Sequence, residues 1–311
     1  MASATTYCIV SSYYGEANLN APSVFRVDAS KMLCVRSLET AFPSSIESVC
    51  SYGDKIVSGS FDGTIKVWKT SSAECEELRL IGHDYAVESL CIYEDKLVSV
   101  SWQEIKIWDL ASGACEKTLT GHTGGVWALC MLGDKIVSGS RDNTIRIWNA
   151  SSGECERILR GHTDHVTALC VYQDKLVSGS YDRSIKIWNT SSWECEKTLL
   201  GHTKEVTSLC VIRDKIVSGS VDSTIKIWNP WSSSCERTLA VHTRAIESVC
   251  EYGQKLVSAS CDHIIKIWDP DTWSCEKTLE GHSKSVNCVC ICGEMLVSGS
   301  DDNTLKVWQC K

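Results

Sequence analysis

Across residues 135–149, KIVSGSRDNTIRIWN, apolar and polar side chains alternate, and the same run returns as KLVSGSYDRSIKIWN and KIVSGSVDSTIKIWN. A period of two is the mark of a strand with one face buried. Shorter apolar runs lie between them in GHTGGVWALC, GHTDHVTALC and GHTKEVTSLC. In the third unit the pattern predicts four strands, at residues 114–119, 126–132, 135–140 and 144–149. The gaps carry turn residues, Gly133-Asp134, Arg141-Asp142-Asn143 and Ser151-Ser152-Gly153. No segment has a helical period of useful length.

The unit repeats. Trp68, Trp108, Trp148, Trp188, Trp228, Trp268 and Trp308 stand 40 residues apart. Four short strands in each of seven such units predict an all-β fold, a seven-bladed β-propeller of four-stranded antiparallel blades. One such sheet cannot cover both its faces. Stacking seven in a ring buries each face against the next.

Two dipeptides mark the units. Gly-His occurs at Gly121-His122, Gly161-His162, Gly201-His202 and Gly281-His282. Trp-Asp occurs at Trp108-Asp109 and Trp268-Asp269, and Trp-Asn in most of the others. On these motifs residues 31–311 resemble the WD-repeat family. The chain is also similar to the propellers of protist myosin heavy chain kinases and of some ubiquitin ligases. The resemblance implies that the first strand of each repeat is the outermost strand of the preceding blade. Residues 32–38 then supply the outer strand of the last blade and close the ring. Residues 1–30 read as a decayed partial repeat, or as extra strands on the closing blade. Within them, 7–12 is strand-like and 24–28 lies one period before 64–68. An eight-bladed ring is the alternative.

Composition narrows the function. Hydrophobic residues make up 43% and charged residues 23%, with a net charge of −8 and a pI near 5.5. That balance speaks against a phosphate-binding surface and hence against nucleic acid. It leaves room for partners with basic segments. No run reaches the length of a membrane helix. The start, MASATTYCIV, lacks the basic and apolar regions of a signal peptide. A cytoplasmic or nuclear protein, with no membrane contact, is expected.

The 19 cysteines fit that compartment as reduced thiols. Cys50, Cys91, Cys130, Cys170, Cys210, Cys250 and Cys290 share one repeat position. Cys34, Cys75, Cys115, Cys155, Cys195, Cys235 and Cys275 share another. Both sets read as small apolar packing residues. Cys288, Cys290 and Cys292 would stand about 7 Å apart on one face of a strand, without the loop geometry of zinc sites. No metal and no cofactor is expected. Cys8, Cys261 and Cys310 fall outside the pattern.

Each of five units contains His, Ser, Asp and Trp at constant spacing: His122, Ser138, Asp142, Trp148; His162, Ser178, Asp182, Trp188; His202, Ser218, Asp222, Trp228; His242, Ser258, Asp262, Trp268; and His282, Ser298, Asp302, Trp308. Ser, His and Asp could form a hydrolase triad. Five copies in one chain argue against catalysis, and the resemblance implies a buried hydrogen-bond chain instead. The first unit has Ala41-Phe42-Pro43 in place of Gly-His. The second, SWQEIKIW, is one residue short and lacks the Asp. Those two blades are expected to be looser, or given over to binding.

The resemblance places the loop after Gly-His and the following turn on one face, the top, around a central channel. Side chains that vary between units there are the candidates for partner binding. Glu47, Glu88, Glu247 and Asp301 form an acidic side on adjoining blades 6, 7, 1 and 2. Trp127, Arg141, His165 and Tyr181 form an aromatic side on blades 3 and 4, and Phe61 and Trp102 occupy the same turn in blades 1 and 2. Aromatic residues and Arg are enriched in interface anchors. The expected ligand is a peptide with a basic residue and an apolar or aromatic anchor. The plain alternative is a solvated rim. Trp193, Trp231 and Trp273, on the opposite side, read either as a second docking patch or as covers over neighbouring strands.

The functional expectation is a non-enzymatic protein–protein interaction scaffold, a monomeric propeller working within a complex. The alternative is the substrate-recognition subunit of a ubiquitin ligase, or a regulatory subunit of a signalling complex. A ligase subunit usually carries an F-box or RING module, for which residues 1–30 are too short. A G-protein β-like subunit would want an N-terminal heptad helix, and none is seen.

Overall fold

The computed structural model describes residues 28–39, 44–70, 75–240 and 242–310. Cys8, the strand-like 7–12, residues 24–27 and Ala41-Phe42-Pro43 lie outside the described residues. So does nearly all of the expected partial repeat.

The alternating runs form seven four-stranded antiparallel sheets. Blade 3 shows the plan: Val126–Leu132, Lys135–Ser140, Thr144–Asn149 and Cys155–Arg160, paired in that order from the inside out. The four strands of the third sequence unit occur as expected, the first of them at Cys115–Leu119 as the outer strand of blade 2. The first strands of successive blades touch in a closed cycle, including Ile46–Tyr52 of blade 1 against Val286–Cys292 of blade 7. Among the described residues the only helical element is a 3-10 turn, Ala29–Lys31. No helix among them is long and apolar enough to cross a membrane.

Closure falls where the family resemblance puts it. Met32–Glu39 pairs antiparallel with Thr304–Cys310 as the outer strand of blade 7. The 3-10 turn just before it buries Ala29, and Lys277 Nζ donates to Ser30 O at 3.1 Å. Off-pattern Cys310 belongs to the same clasp, its thiol donating to Asp28 O at 3.2 Å.

The core is divided. Seven hydrophobic clusters fill the seven gaps between blades, each built from both flanking sheets. Each buried Ile, Val or Leu is worth roughly 1.5–3 kcal/mol of transfer free energy. The Gly of the repeated Ser-Gly-Ser sits where blades approach most closely. A Cβ on Gly179 would stand 2.6 Å from Val206 Cγ1 of the next blade.

The two cysteine sets part company. Those on the inner strands are buried, except the half-buried Cys50, and burial pushes the Cys91 and Cys170 thiols up to about 12. The described thiols of the outer strands, such as Cys115, Cys155 and Cys195, are exposed. The packing reading therefore fails for the outer set, because the outermost strand of a blade has no sheet beyond it. Cys288, Cys290 and Cys292 all lie in the apolar cluster between blades 7 and 1.

Candidate functional site

The top of each blade is set by a turn held from within. In blade 3, Trp148 Nε1 donates to Ser138 Oγ at 2.8 Å. Ser138 Oγ lies 2.7 Å from His122 Nε2, and His122 Nδ1 lies 2.8 Å from Asp142 Oδ2. The indole can only donate and the carboxylate accepts. His122 Nδ1 therefore carries a proton, and with the ring neutral, as burial favours, Nε2 accepts the Ser138 hydroxyl. Burial lowers the His122 pKa despite its bond to Asp142. Burial alone would raise the Asp142 pKa, but bonds from His122, Thr144 and the Thr123 N–H hold it well below the ordinary range. The same chain recurs through Trp188, Ser178, His162 and Asp182; Trp228, Ser218, His202 and Asp222; Trp268, Ser258, His242 and Asp262; and Trp308, Ser298, His282 and Asp302.

These are not hydrolase sites. Each serine is 0% exposed and already accepts an indole proton, so no substrate carbonyl can reach it. The Gly before the His is explained by the indole. A Cβ on Gly161 would come within 3.0 Å of Trp188 Cη2.

Blades 1 and 2 depart as their sequences imply. In blade 1, Trp68 still donates to Ser58, and the buried Lys66 ammonium lies 5.9 Å over the indole. In blade 2, Trp108, Ser99 and His83 are linked, but His83 Nδ1 is buried without a partner. Burial, then the nearby Lys106, pushes the His83 pKa down to about 4. The missing residue also shortens the turn. Ser101 pairs directly with Glu104, leaving Trp102-Gln103 as a two-residue hairpin with Trp102 at φ +50°. In blades 3 to 7 the positive φ falls on the third turn residue, as at Asn143 and Asn303.

The channel mouth is ringed by one structural device. Every inner strand opens with a β-bulge, and the bulged residues are Glu47, Glu88, Trp127, Thr167, Thr207, Glu247 and Asn287. A bulge adds twist and re-aims its side chain. In three blades the side chain turns sideways and ties the ring: Thr167 donates to Val206 O, Thr207 to Ile246 O, and Asn287 to Ile46 O.

The rim reading needs correction at two positions. Glu47 is 3% and Glu247 1% exposed, so neither is an open rim residue. The bulge turns them inward, beside neighbours from adjoining blades. Glu247 Oε1 accepts the thiol of Cys261 at 2.8 Å, which gives that off-pattern cysteine a contact. Asn287 bridges Asp301 Oδ1 at 2.7 Å and Glu47 Oε2 at 3.5 Å. Glu47, Glu247 and Asp301 thus form a cluster across blades 6, 7 and 1. Glu88, on blade 2, is half-buried.

The aromatic side is more continuous than its residue types alone indicate. Trp127 packs edge-on to His165 at 5.0 Å and against Tyr181 at 5.4 Å, and His165 meets Tyr181 at 5.1 Å. Trp102, 48% exposed, packs against Tyr85 with ring centroids 5.6 Å apart. Sequence reasoning passes over Tyr85, whose only signal is an exposed ring in the loop after His83. A Cβ on Gly125 would lie 3.8 Å from Trp102 and 3.3 Å from Trp127, so bare backbone separates the two indoles. Phe61, 56% exposed, and the exposed Arg141 complete the predicted set.

On the opposite side the three tryptophans do not behave alike. Trp193 and Trp273 pack onto the clusters between blades 3 and 4 and between blades 5 and 6. Trp231 is 66% exposed, and its loop is held by Lys197 Nζ bonds to Pro230 O and Trp231 O.

A closed ring of seven repeat-built blades, each with a buried Trp–Ser hydrogen bond, defines a β-propeller. The family model described as "WD domain, G-beta repeat" matches residues 32–69, 113–149, 153–189, 193–229, 233–269 and 273–309. The chain belongs to the WD40 family. The unmatched stretch contains most of blade 2, the unit with the shortened turn and no Asp. No curated protein matches the chain.

Proposed function

We propose that the protein is a non-enzymatic interaction scaffold that takes a peptide segment of a partner protein on its top face. The observation that carries this reading is the aromatic arc from Tyr85 and Trp102 past Gly125 to Trp127, His165 and Tyr181. Rigid rings at a channel mouth offer apolar area at low entropic cost, the usual property of interface anchors. The acidic cluster on the facing blades favours a basic residue in the same peptide. Service within a larger assembly, a ubiquitin ligase among them, would use this same surface.

The test is quantitative affinity capture of partners with wild-type, Trp127→Ala and Glu88→Lys proteins. Loss of a central anchor costs about 2 kcal/mol or more, about 30-fold in affinity. Recovery falls with Trp127→Ala and with the charge reversal at Glu88. Equal recovery by all three proteins sinks the proposal.

A further inference from the structure

The aromatic arc accounts for one half of the channel mouth. The other half holds a buried carboxyl that the fold satisfies at one oxygen only. Glu247 Oε1 takes the Cys261 thiol, and Glu247 Oε2 is buried with no partner. A buried acceptor left unpaired is destabilising, so it stands out against the bonded Trp–Ser–His–Asp networks of blades 3 to 7.

We propose that the mouth between blades 6, 7 and 1 is a receptor for one lysine side chain, whose ammonium pairs with Glu247 and displaces its proton to solvent. The proposal rests on the top-face reading and names the basic residue of that peptide and its seat. Three observations support it. First, the charges acting on Glu247 are those of Asp301 and Glu47, both negative. Second, Glu247 is the bulged residue at the start of the inner strand of blade 6, and the Cys261 bonded to it is itself partly exposed. Third, only one Glu247 oxygen lacks a partner within the fold. A compact ammonium can use a single oxygen, whereas the planar guanidinium fork of arginine is matched to two. Among the described residues no group of three His, Cys, Asp or Glu is disposed to hold a metal ion.

The site carries its own pH dependence. Burial pushes the Glu247 carboxyl up to about 8; the Cys261 bond works against this, and Asp301 and Glu47 add to it. The titratable groups facing it are Cys261 from its own blade, Asp301 from blade 7 and Glu47 from blade 1. Burial, then Glu247, raises the Cys261 thiol, so it stays protonated through neutral pH. Lysine remains charged to about pH 10. Binding therefore strengthens as Glu247 ionises, by about tenfold per pH unit below pH 8, and levels off above it.

The probes are Nα-acetyl-lysine methylamide, its Nε-acetylated form and the arginine analogue. The readout is the side-chain carbon NMR signal of Glu247, with a chemical-shift titration of the whole protein. Expected are saturable binding of the lysine probe that rises between pH 6 and 8, no binding of the acetylated form, and weaker binding of the arginine analogue. Glu247→Gln mimics the neutral carboxyl and keeps the fold, checked by thermal melting. It should weaken lysine binding at pH 8 at least tenfold and abolish the pH slope. A flat profile, equal binding of the acetylated probe, tighter arginine binding or an unaffected Glu247→Gln variant each overturns the proposal. If these probes fail while Trp127→Ala still loses its partner, only the lysine seat is wrong. If Glu247 responds while Trp127→Ala and Glu88→Lys capture normally, the aromatic top-face reading is wrong.

Discussion

At the scale of single residues, Glu247 is the group most out of balance with its surroundings. Its folded pKa of about 8 lies above the ordinary carboxyl value near 4.3 of an unfolded chain. Between those values the folded state holds the extra proton, so stability falls as pH rises. The slope for one group is at most about 1.4 kcal/mol per pH unit. Glu247→Gln removes that term. The variant should match wild type near pH 4 and gain on it steadily up to pH 8. Urea unfolding of both proteins across that range checks the difference and cancels contributions common to the two, such as the opposing ones of His83 and His122. A gap that does not widen with pH would show that Glu247 ionises freely in the fold.

At the scale of the element, the unit is the turn with its internal hydrogen-bond chain. His162→Ala removes a group that satisfies both Ser178 and Asp182. It leaves two buried polar partners short and should cost about 2–3 kcal/mol. His83 satisfies Ser99 alone and already carries an unpaired Nδ1. His83→Ala should cost about 1 kcal/mol. Equal losses in denaturant titrations would mean that the Asp adds nothing to the chain. The blade 2 turn makes a second prediction. A bulky side chain at positive φ is strained by roughly 1–3 kcal/mol, and Asn tolerates that conformation. Trp102→Asn therefore exchanges relieved strain for a lost contact with Tyr85. Stability should move by less than about 1 kcal/mol, while partner capture drops. A large stability loss with unchanged capture would make Trp102 a structural residue.

At the scale of the whole molecule, the ring depends on Met32–Glu39. Deleting residues 1–39 uncovers the paired edge of Thr304–Cys310 and removes buried Met32 and Leu38 from the two flanking clusters. An exposed edge strand invites pairing with another chain. The deletion should lower the melting temperature by several degrees and produce oligomers in sedimentation velocity. A monomer with wild-type melting would mean that closure by this strand does not stabilise the ring.

The blade plan was legible because it is local. Strand alternation is a matter of neighbouring residues, and the Trp, Ser, His and Asp of a network lie within 26 residues of one another, as His122 and Trp148 do. Forty-residue spacing, together with the strand offset that the family resemblance implies, placed the closing strand at 32–38. The channel mouth was not legible in the same way. Glu47 and Glu247 stand at the same repeat position as the half-buried Trp127, yet they are buried because Asn287, Asp301 and Cys261 arrive from neighbouring turns. Contacts between Asn287 and Glu47 span 240 residues, far beyond any local pattern. The same holds for the outer thiols, exposed because the ring leaves the last strand uncovered, and for Tyr85, which counts only once Trp102 lies on it. Sequence by itself determined the period and the strands, and with the family resemblance the internal chains of blades 3 to 7. Tertiary structure decided which bulge side chains meet solvent and which meet each other, because that depends on seven blades closing around one axis.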